Sequence, residues 1–471
     1  MASRKRSGRV AVALEERNDM KRTALRRITA ATMVVGLGIG LAGCGGGDGG
    51  NGASGTIGTA DNPVEIAVWG WEPTLKQATA TFEKENPNIK VKVTNVGSAV
   101  QTITSLQNAI NAGSGAPDVA QFEYHALPQF ALAGSLSDLS DKGAKDYADF
   151  YTPGTWSQVN INGGIYGLPM DSGPTALFYN KEVFDAAGVT EPPKTWDEYY
   201  EAAKKIKALG GGHYITADTG SEGSYTMLAS LIWAAGGRPY EIKDAENVSI
   251  TLTSDPAVKK VADFWQKMID EGLINTQINS WSDEWNRGLG DGTIASLNYG
   301  AWMSANLLAS ASQASGKFRV ATIPQWDASA KPSNGEAGGS TLAILASSKK
   351  QEAAWKYIDF VNHERDGINA RVDNGAFPAD HETLKSDDFL KGSAKLTDYF
   401  GGQEYNKVLA QASDEVSEGF SYMPFSAHAM SIYGDSLGPA YRGQKTLSQA
   451  LADFQKALTD YGRDQGFTVT N

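Results

Sequence analysis

Cysteine is almost missing from this chain: one stands among 471 residues, at position 44. No disulfide framework is open to it. Histidine is scarce as well. The five (His125, His213, His363, His381 and His428) form no H-E-x-x-H pair, since His363-Glu364 and His381-Glu382 lack a second histidine four residues on. With no cysteine to spare for a metal site, that excludes the common zinc patterns, and no metal or other cofactor is expected. A Walker loop for phosphates is absent. Long hydrophobic runs are absent too: Ile28 to Leu41 is apolar for only fourteen residues, against the roughly 20 that a bilayer-spanning helix needs. Basic charge is the last deficit. Lys and Arg number 42 against 54 Asp and Glu. Nine of the basic and three of the acidic groups lie in residues 1–43, so the rest of the chain carries 33 against 51, a net charge of −18. Such a surface repels nucleic-acid phosphates and offers no polybasic membrane patch.

What is present begins at the N-terminus. Lys21, Arg22, Arg26 and Arg27 precede the apolar stretch, which ends in Leu41-Ala42-Gly43-Cys44. Basic start, short apolar middle and small residues at a cut are the three parts of a secretory signal. Met20 directly precedes the basic cluster, so residues 1–19 are an extended basic region or lie upstream of the true start. Small residues before a cysteine resemble the lipobox of bacterial lipoproteins, whose thiol is acylated and becomes the new N-terminus. Cys44 is therefore the expected lipid attachment, because Gly45, Gly46 and Gly47 beside it can bury nothing. Gly45 to Gly58 is nearly all Gly, Ser, Asn and Asp, a flexible tether. The roughly 430 residues after the cysteine exceed one compact core, so two domains are expected.

The body opens with alternating β-branched residues, Val64 to Trp69, then a helical pattern through Leu75, Ala78 and Phe82 that stops at Asn86-Pro87. Ile89 to Val93 alternates again, Ser98 to Ala112 reads as a helix, and Asp118 to Phe122 as a third strand. Strand, helix, strand, helix, strand predicts a parallel sheet covered by helices, with ligands at the carboxyl ends of its strands. Those ends carry Trp69-Gly70-Trp71-Glu72 and Phe122-Glu123-Tyr124. The stretch from Gly163 to Asn180 reads as an extended crossing into a second domain. Thr195 to Glu198 is a capping box that opens a helix through Leu209. Helices are expected at 224–235, 256–271 and 350–362, strands at 293–299, 318–323 and 338–345, and helical patterns alone from Asp387 onward.

Several stretches together carry a resemblance. Phe82-Glu83-Lys84-Glu85-Asn86-Pro87 with Ile89-Lys90-Val91, then Ala116-Pro117-Asp118-Val119, then Ile165-Tyr166-Gly167-Leu168-Pro169 with Leu177-Phe178-Tyr179-Asn180-Lys181 follow in order. Pro193 to Glu198 and Lys349 to Val361 complete the set. From Ile66 to about Phe467 the chain resembles the extracellular solute-binding proteins of bacterial ABC importers, in the branch of maltose-binding protein. That resemblance implies an α/β, two-lobe periplasmic-binding-protein-like fold, with a ligand cleft between lobes joined by hinge crossings. Lobe one is expected at 61–171 plus 324–375, and lobe two at 172–323 plus 376–471. It also implies the partners: a small-molecule sugar, the transmembrane permease subunits of an importer, and the membrane through the lipid on Cys44. Gly173 and Gly338-Gly339 are flexible enough for the hinge. The chain is expected to work as a monomer.

Eleven tryptophans bear on the ligand. A sugar presents a C–H face that stacks on aromatic rings and hydroxyls that need polar partners. The candidate contacts are Trp71 and Glu72, Phe122, Glu123 and Tyr124, Asp171, Trp233, Trp281 and Asp283, Trp302 after Gly300, Gly339 and Ser340, and Tyr422 in a loop around Pro424. Trp156, Trp196, Trp265 and Trp355 sit on helical or capping patterns and are expected in the core. For Glu72, Glu123 and Asp171 a helix cap or solvated charge is an equal reading. An enzyme that cleaves glycosides with two of these carboxylates is the rival function.

Overall fold

The structure, a computed structural model, describes residues 57–471. The stretch expected to be a signal, with Cys44, lies outside the described residues. β1 (Asn62–Trp69), α1 (Leu75–Glu85), β2 (Ile89–Thr94), α2 (Ala99–Ala112) and β3 (Val119–Glu123) follow in the expected order. β1 pairs in parallel with β2 and with β3. α1 buries Leu75, Ala78 and Phe82 on one stripe, as a period of 3.6 requires. Phe82 meets Tyr357 and Phe360 edge-on at 5.3 and 5.4 Å. Ser98 and Gln101 cap the start of α2 reciprocally, and Gly113 ends it in the left-handed region.

β4 (Leu168–Pro169) leads to β5 (Thr175–Asn180), which is buried throughout. The helices α3 (Trp196–Ala208), α4 (Tyr225–Ala234), α5 (Pro256–Asp270) and α6 (Asp283–Asp291) then precede β6 (Ser296–Gly300), α7 (Met303–Ser310) and β7 (Phe318–Thr322). β6 and β7 flank β5, both antiparallel, as a second sheet. Thr195 caps α3 through the backbone N–H of Glu198, but the Glu198 carboxylate accepts from Lys194 N–H at 2.6 Å and not from Thr195, so the expected box is only half formed.

The chain returns as β8 (Ser340–Ile344), which pairs antiparallel with β3 and with β4. The first sheet is therefore mixed, not purely parallel. β8 enters from the second sheet with no crossover helix of its own, which leaves the antiparallel direction open to it. The return also falls later than residue 324. Gln325 bridges Thr195, Trp326 stacks on Trp196 at 5.0 Å, and Asn334 bridges Val416, so residues 325–334 pack with the second sheet's elements. α8 (Gln351–Asn362) and α9 (Arg365–Val372) cover the first sheet and α1. Helices dominate thereafter, among them α10 (Ser426–Tyr441) and α11 (Leu447–Asp464). The chain's last strand, Thr468–Thr470, was not expected; it pairs in parallel with Asn247–Ile250, and three residues are too few for a readable alternation.

The outward and return crossings lie side by side. Ala337 N–H donates to Gly173 O at 2.8 Å, Pro174 bridges Glu336, and Met170 N–H donates to Ser340 O at 2.9 Å. A Cβ on Gly173 would stand 2.7 Å from Ala337 O. Gly339 has φ +102°, and a Cβ there would stand 2.7 Å from the Tyr124 ring. Gly339→Ala is thus expected to cost about 1–3 kcal/mol, from backbone strain together with the clash. Urea unfolding of the variant checks this; a midpoint equal to that of the parent chain rules it out.

Candidate functional site

The carboxyl ends of β1 and β3 are fixed by one buried amide. Gln121 in β3 is fully buried, and its Oε1 accepts the backbone N–H of Trp71 at 2.9 Å and of Glu72 at 3.1 Å. Its Nε2 donates to Ser340 Oγ at 2.9 Å, and that hydroxyl donates to Asp171 Oδ1 at 2.8 Å. The same carboxylate accepts the Ser340 N–H. On the far side Arg371, on α9 and 2% exposed, reaches Glu72 at 3.4 Å and donates to Met170 O at 2.7 Å. Thr74 donates to Glu72 as well. Glu72, Asp171, Gly339, Ser340 and Tyr124 are thus gathered around one guanidinium and one amide, with Tyr124 Oη donating to Asp171 O at 2.8 Å.

Burial pushes the Asp171 carboxyl up to about 6; neighbouring Glu72 pushes the same way, while Arg371 and the Ser340 donors oppose. Glu336, 1% exposed on the return crossing, is pushed up to about 8, chiefly by burial. Ser172 on the outward crossing donates to its Oε1 at 3.0 Å, and its Oε2 has no partner among the described residues.

The second sheet contributes an aromatic platform. Trp281 is 44% exposed and stacks on Trp302, centroids 5.8 Å apart and planes 25° off parallel. Tyr299 abuts Trp281 edge-on at 5.6 Å, and buried Trp285 lies 5.1 Å away. Trp281 holds φ +69°, a region that bulky side chains rarely enter. Behind it, Asp218 is fully buried and accepts from Gly220 N–H, Ser224 Oγ, Trp265 Nε1 and Tyr441 Oη at 2.6–2.9 Å. These bonds fix the loop in which a Cβ on Gly223 would meet Trp281 at 3.0 Å. The platform joins the crossing where Trp302 Nε1 donates to Ala337 O at 2.8 Å.

A third group spans both lobes. Glu123 holds His125 Nδ1 at 2.9 Å, and the His125 ring lies edge-on to Tyr422 at 6.0 Å and Tyr225 at 6.3 Å.

Three candidate residues stand apart from these groups. Phe122 is fully buried against Phe130 at 5.0 Å in the first lobe's core. Trp233 is fully buried, stacked on Phe420 at 4.6 Å with its N–H bonded to Ser417 O. Asp283 is exposed in the first turn of α6, the favourable end for a carboxylate. Trp196 and Trp265 are core as expected, while Trp156 and Trp355 are only partly buried. Gln121, His125, Asp218, Trp285, Tyr299, Glu336 and Arg371 escaped the sequence reading. The sequence reading also missed Gly434-Asp435-Ser436-Leu437-Gly438, which matches the serine-hydrolase motif G-x-S-x-G; it lies inside α10 and not on the strand-to-helix elbow the chemistry needs.

Two α/β lobes joined by paired crossings, with their polar and aromatic groups meeting at those crossings, define a hinged binding protein. The chain belongs to the bacterial extracellular solute-binding proteins, whose family model matches residues 70–365, and its place is accordingly extracytoplasmic. It is 50% identical, with a TM-score of 0.76 over 87% of this chain and all of the other, to the ABC transporter associated binding protein from B. animalis subsp. lactis Bl-04 in complex with β-1,6-galactobiose. The galacto-N-biose-/lacto-N-biose I-binding protein of Bifidobacterium longum, in complex with lacto-N-biose, is 27% identical with a TM-score of 0.73, over 87% of this chain and 99% of the other. The arabinooligosaccharide-binding protein of Bacillus subtilis is 27% identical over 399 residues, 82% of this chain and 90% of its own.

A carboxyl group with a raised folded-state value holds its proton more tightly folded than unfolded, so it lowers stability as pH rises between the two values. For Glu336 that window runs from about 4.5 to about 8. Stability is expected to fall by a few kcal/mol across it, and Glu336→Gln is expected to remove most of that fall. Melting temperature against pH is the measurement, and parallel profiles for the two chains would contradict the assignment.

Proposed function

We propose that this protein is the substrate-binding subunit of an ABC importer, capturing a neutral di- or oligosaccharide between its lobes and delivering it to the permease. The observation that carries the reading is the exposed Trp281 ring stacked on Trp302, whose indole is bonded to the crossing at Ala337. The ring faces suit the C–H face of a sugar. Glu72, Glu123 and Asp171 are acceptors suited to its hydroxyls. The acidic balance disfavours a phosphorylated ligand. The similarity to a protein holding β-1,6-galactobiose supports the same class. Lobe one comprises 61–171 with 340–375, and lobe two 172–336 with 376–471. Capture closes the lobes by differential contact, and the permease reads the closed form. The protein acts as a monomer, held outside the membrane by a lipid on Cys44, and performs no chemistry on the sugar.

Titration of the intrinsic tryptophan fluorescence with β-1,6-galactobiose and other neutral disaccharides tests the ligand class. Binding without turnover is expected, and Trp281→Ala or Trp302→Ala is expected to weaken it tenfold or more, about 1.4 kcal/mol or above. A flat response to every neutral sugar would sink the carbohydrate reading. For the anchor, Cys44→Ser expressed in a bacterial host is expected to leave the membrane fraction for the medium. Retention in the membrane would count against acylation.

A further inference from the structure

Asp218 is fully buried behind the Trp281 platform, so it meets no ligand itself. Its two oxygens divide four donors. Oδ1 accepts Gly220 N–H at 2.9 Å and Ser224 Oγ at 2.6 Å, while Oδ2 accepts Trp265 Nε1 at 2.9 Å and Tyr441 Oη at 2.7 Å. Ser224 precedes α4, Trp265 lies in α5 and Tyr441 ends α10. One side chain thus pins three helices to a single short loop.

That loop bears on the platform through three bonds. Asp218 N–H donates to Asn275 O at 3.0 Å, and Thr219 Oγ1 donates to Asn279 Oδ1 at 2.7 Å, which ties the loop to the segment leading into Trp281. Tyr299 Oη donates to Gly223 O at 3.1 Å while its ring abuts Trp281. Trp281 holds φ +69°, a conformation that only its surroundings can keep.

We propose that Asp218 is a positioning residue for ligand binding: without touching the ligand, it sets the affinity of the site by holding the Trp281 face in place. The inference rests on the sugar-binding reading above and adds to it a buried determinant in the second lobe. Four donors fill the roughly four lone-pair sites of a carboxylate, and an amide cannot replace it. Asn at this position turns its oxygen to Gly220 and Ser224 or to Trp265 and Tyr441, and its NH2 group confronts the other pair. Thr219→Val is milder. The position is partly exposed, and the change cuts only the tie to Asn279.

A double-mutant cycle on the Kd for β-1,6-galactobiose, measured by calorimetry well below the melting temperature of each variant, tests the inference. Asp218→Asn and Thr219→Val are each expected to weaken binding about three- to tenfold. In a Trp281→Ala background each is expected to change the Kd by less than about twofold, because the face they position is gone. A merely structural role lowers the melting temperature in both backgrounds and gives no such dependence on Trp281. Equal losses in the two backgrounds, or an unchanged Kd in both single variants, overturn the inference and leave the sugar-binding reading standing. If Asp218→Asn fails to fold, the Thr219→Val arm decides. No binding by the parent chain, or no effect of Trp281→Ala, overturns both readings.

Discussion

The backbone of Gly338 and Gly339 runs between two rings, Trp302 of the second lobe and Tyr124 of the first. Both glycines have positive φ, 86° and 102°, where a side chain would add strain to the clash. The fit leaves the crossing no slack. The next residue, Ser340, carries the hydroxyl that links Gln121 to Asp171, and the preceding Ala337 carbonyl holds the Trp302 indole. Hinge and site are therefore one piece of structure. In the proposed closure, rotation about the glycine bonds would turn Trp302 relative to Tyr124, because each ring is tied to the crossing by contact or hydrogen bond. Closure of the lobes, as proposed, would thus reposition the aromatic platform together with the carboxylates.

Charge at that crossing is unbalanced. Glu72, Asp171 and Glu336 converge where Arg371 is the buried guanidinium, and Arg371 reaches Glu72. Serine hydroxyls from each crossing supply donors, Ser172 to Glu336 and Ser340 to Asp171. They soften the desolvation of the carboxyls without cancelling it, which is why both carboxyls are raised. Glu336 avoids the cost of a buried charge by keeping its proton up to about pH 8, yet its Oε2 lacks a partner among the described residues, and an unsatisfied buried polar atom is itself costly. That cost falls on the segment that must bend, and low local stability belongs where a fold has to move.

The local elements were legible because their causes are local. The Leu75, Ala78 and Phe82 stripe, the Thr195 cap and the alternation of Val64 to Trp69 each lie within a few residues. The site was legible only in part. Trp281 and Trp302 stand at element starts that a pattern can flag, whereas Gln121 and Arg371 owe their roles to partners far along the chain. Gln121 meets Ser340 across 219 positions, and Arg371 meets Glu72 across 299. Phe122 and Trp233 misled for the same reason. Strand or helix phase gives the face of a ring, and only the distant Phe420 decides that Trp233 is covered.

Trp281 brings these constraints together. A non-glycine residue in the left-handed region costs of order 1–3 kcal/mol and persists only when its surroundings over-determine it. Tyr299 edge-on, Trp285 beneath and Gly223 close by over-determine this one. The strain serves no core, since the ring stays 44% exposed. Its effect is to hold an indole face beside Trp302 before any ligand arrives. A ring already fixed loses little freedom on binding, so more of the stacking energy reaches the affinity. An exposed, strained and immobilised tryptophan stacked on Trp302 fits the proposed recognition of a ligand better than a role in folding.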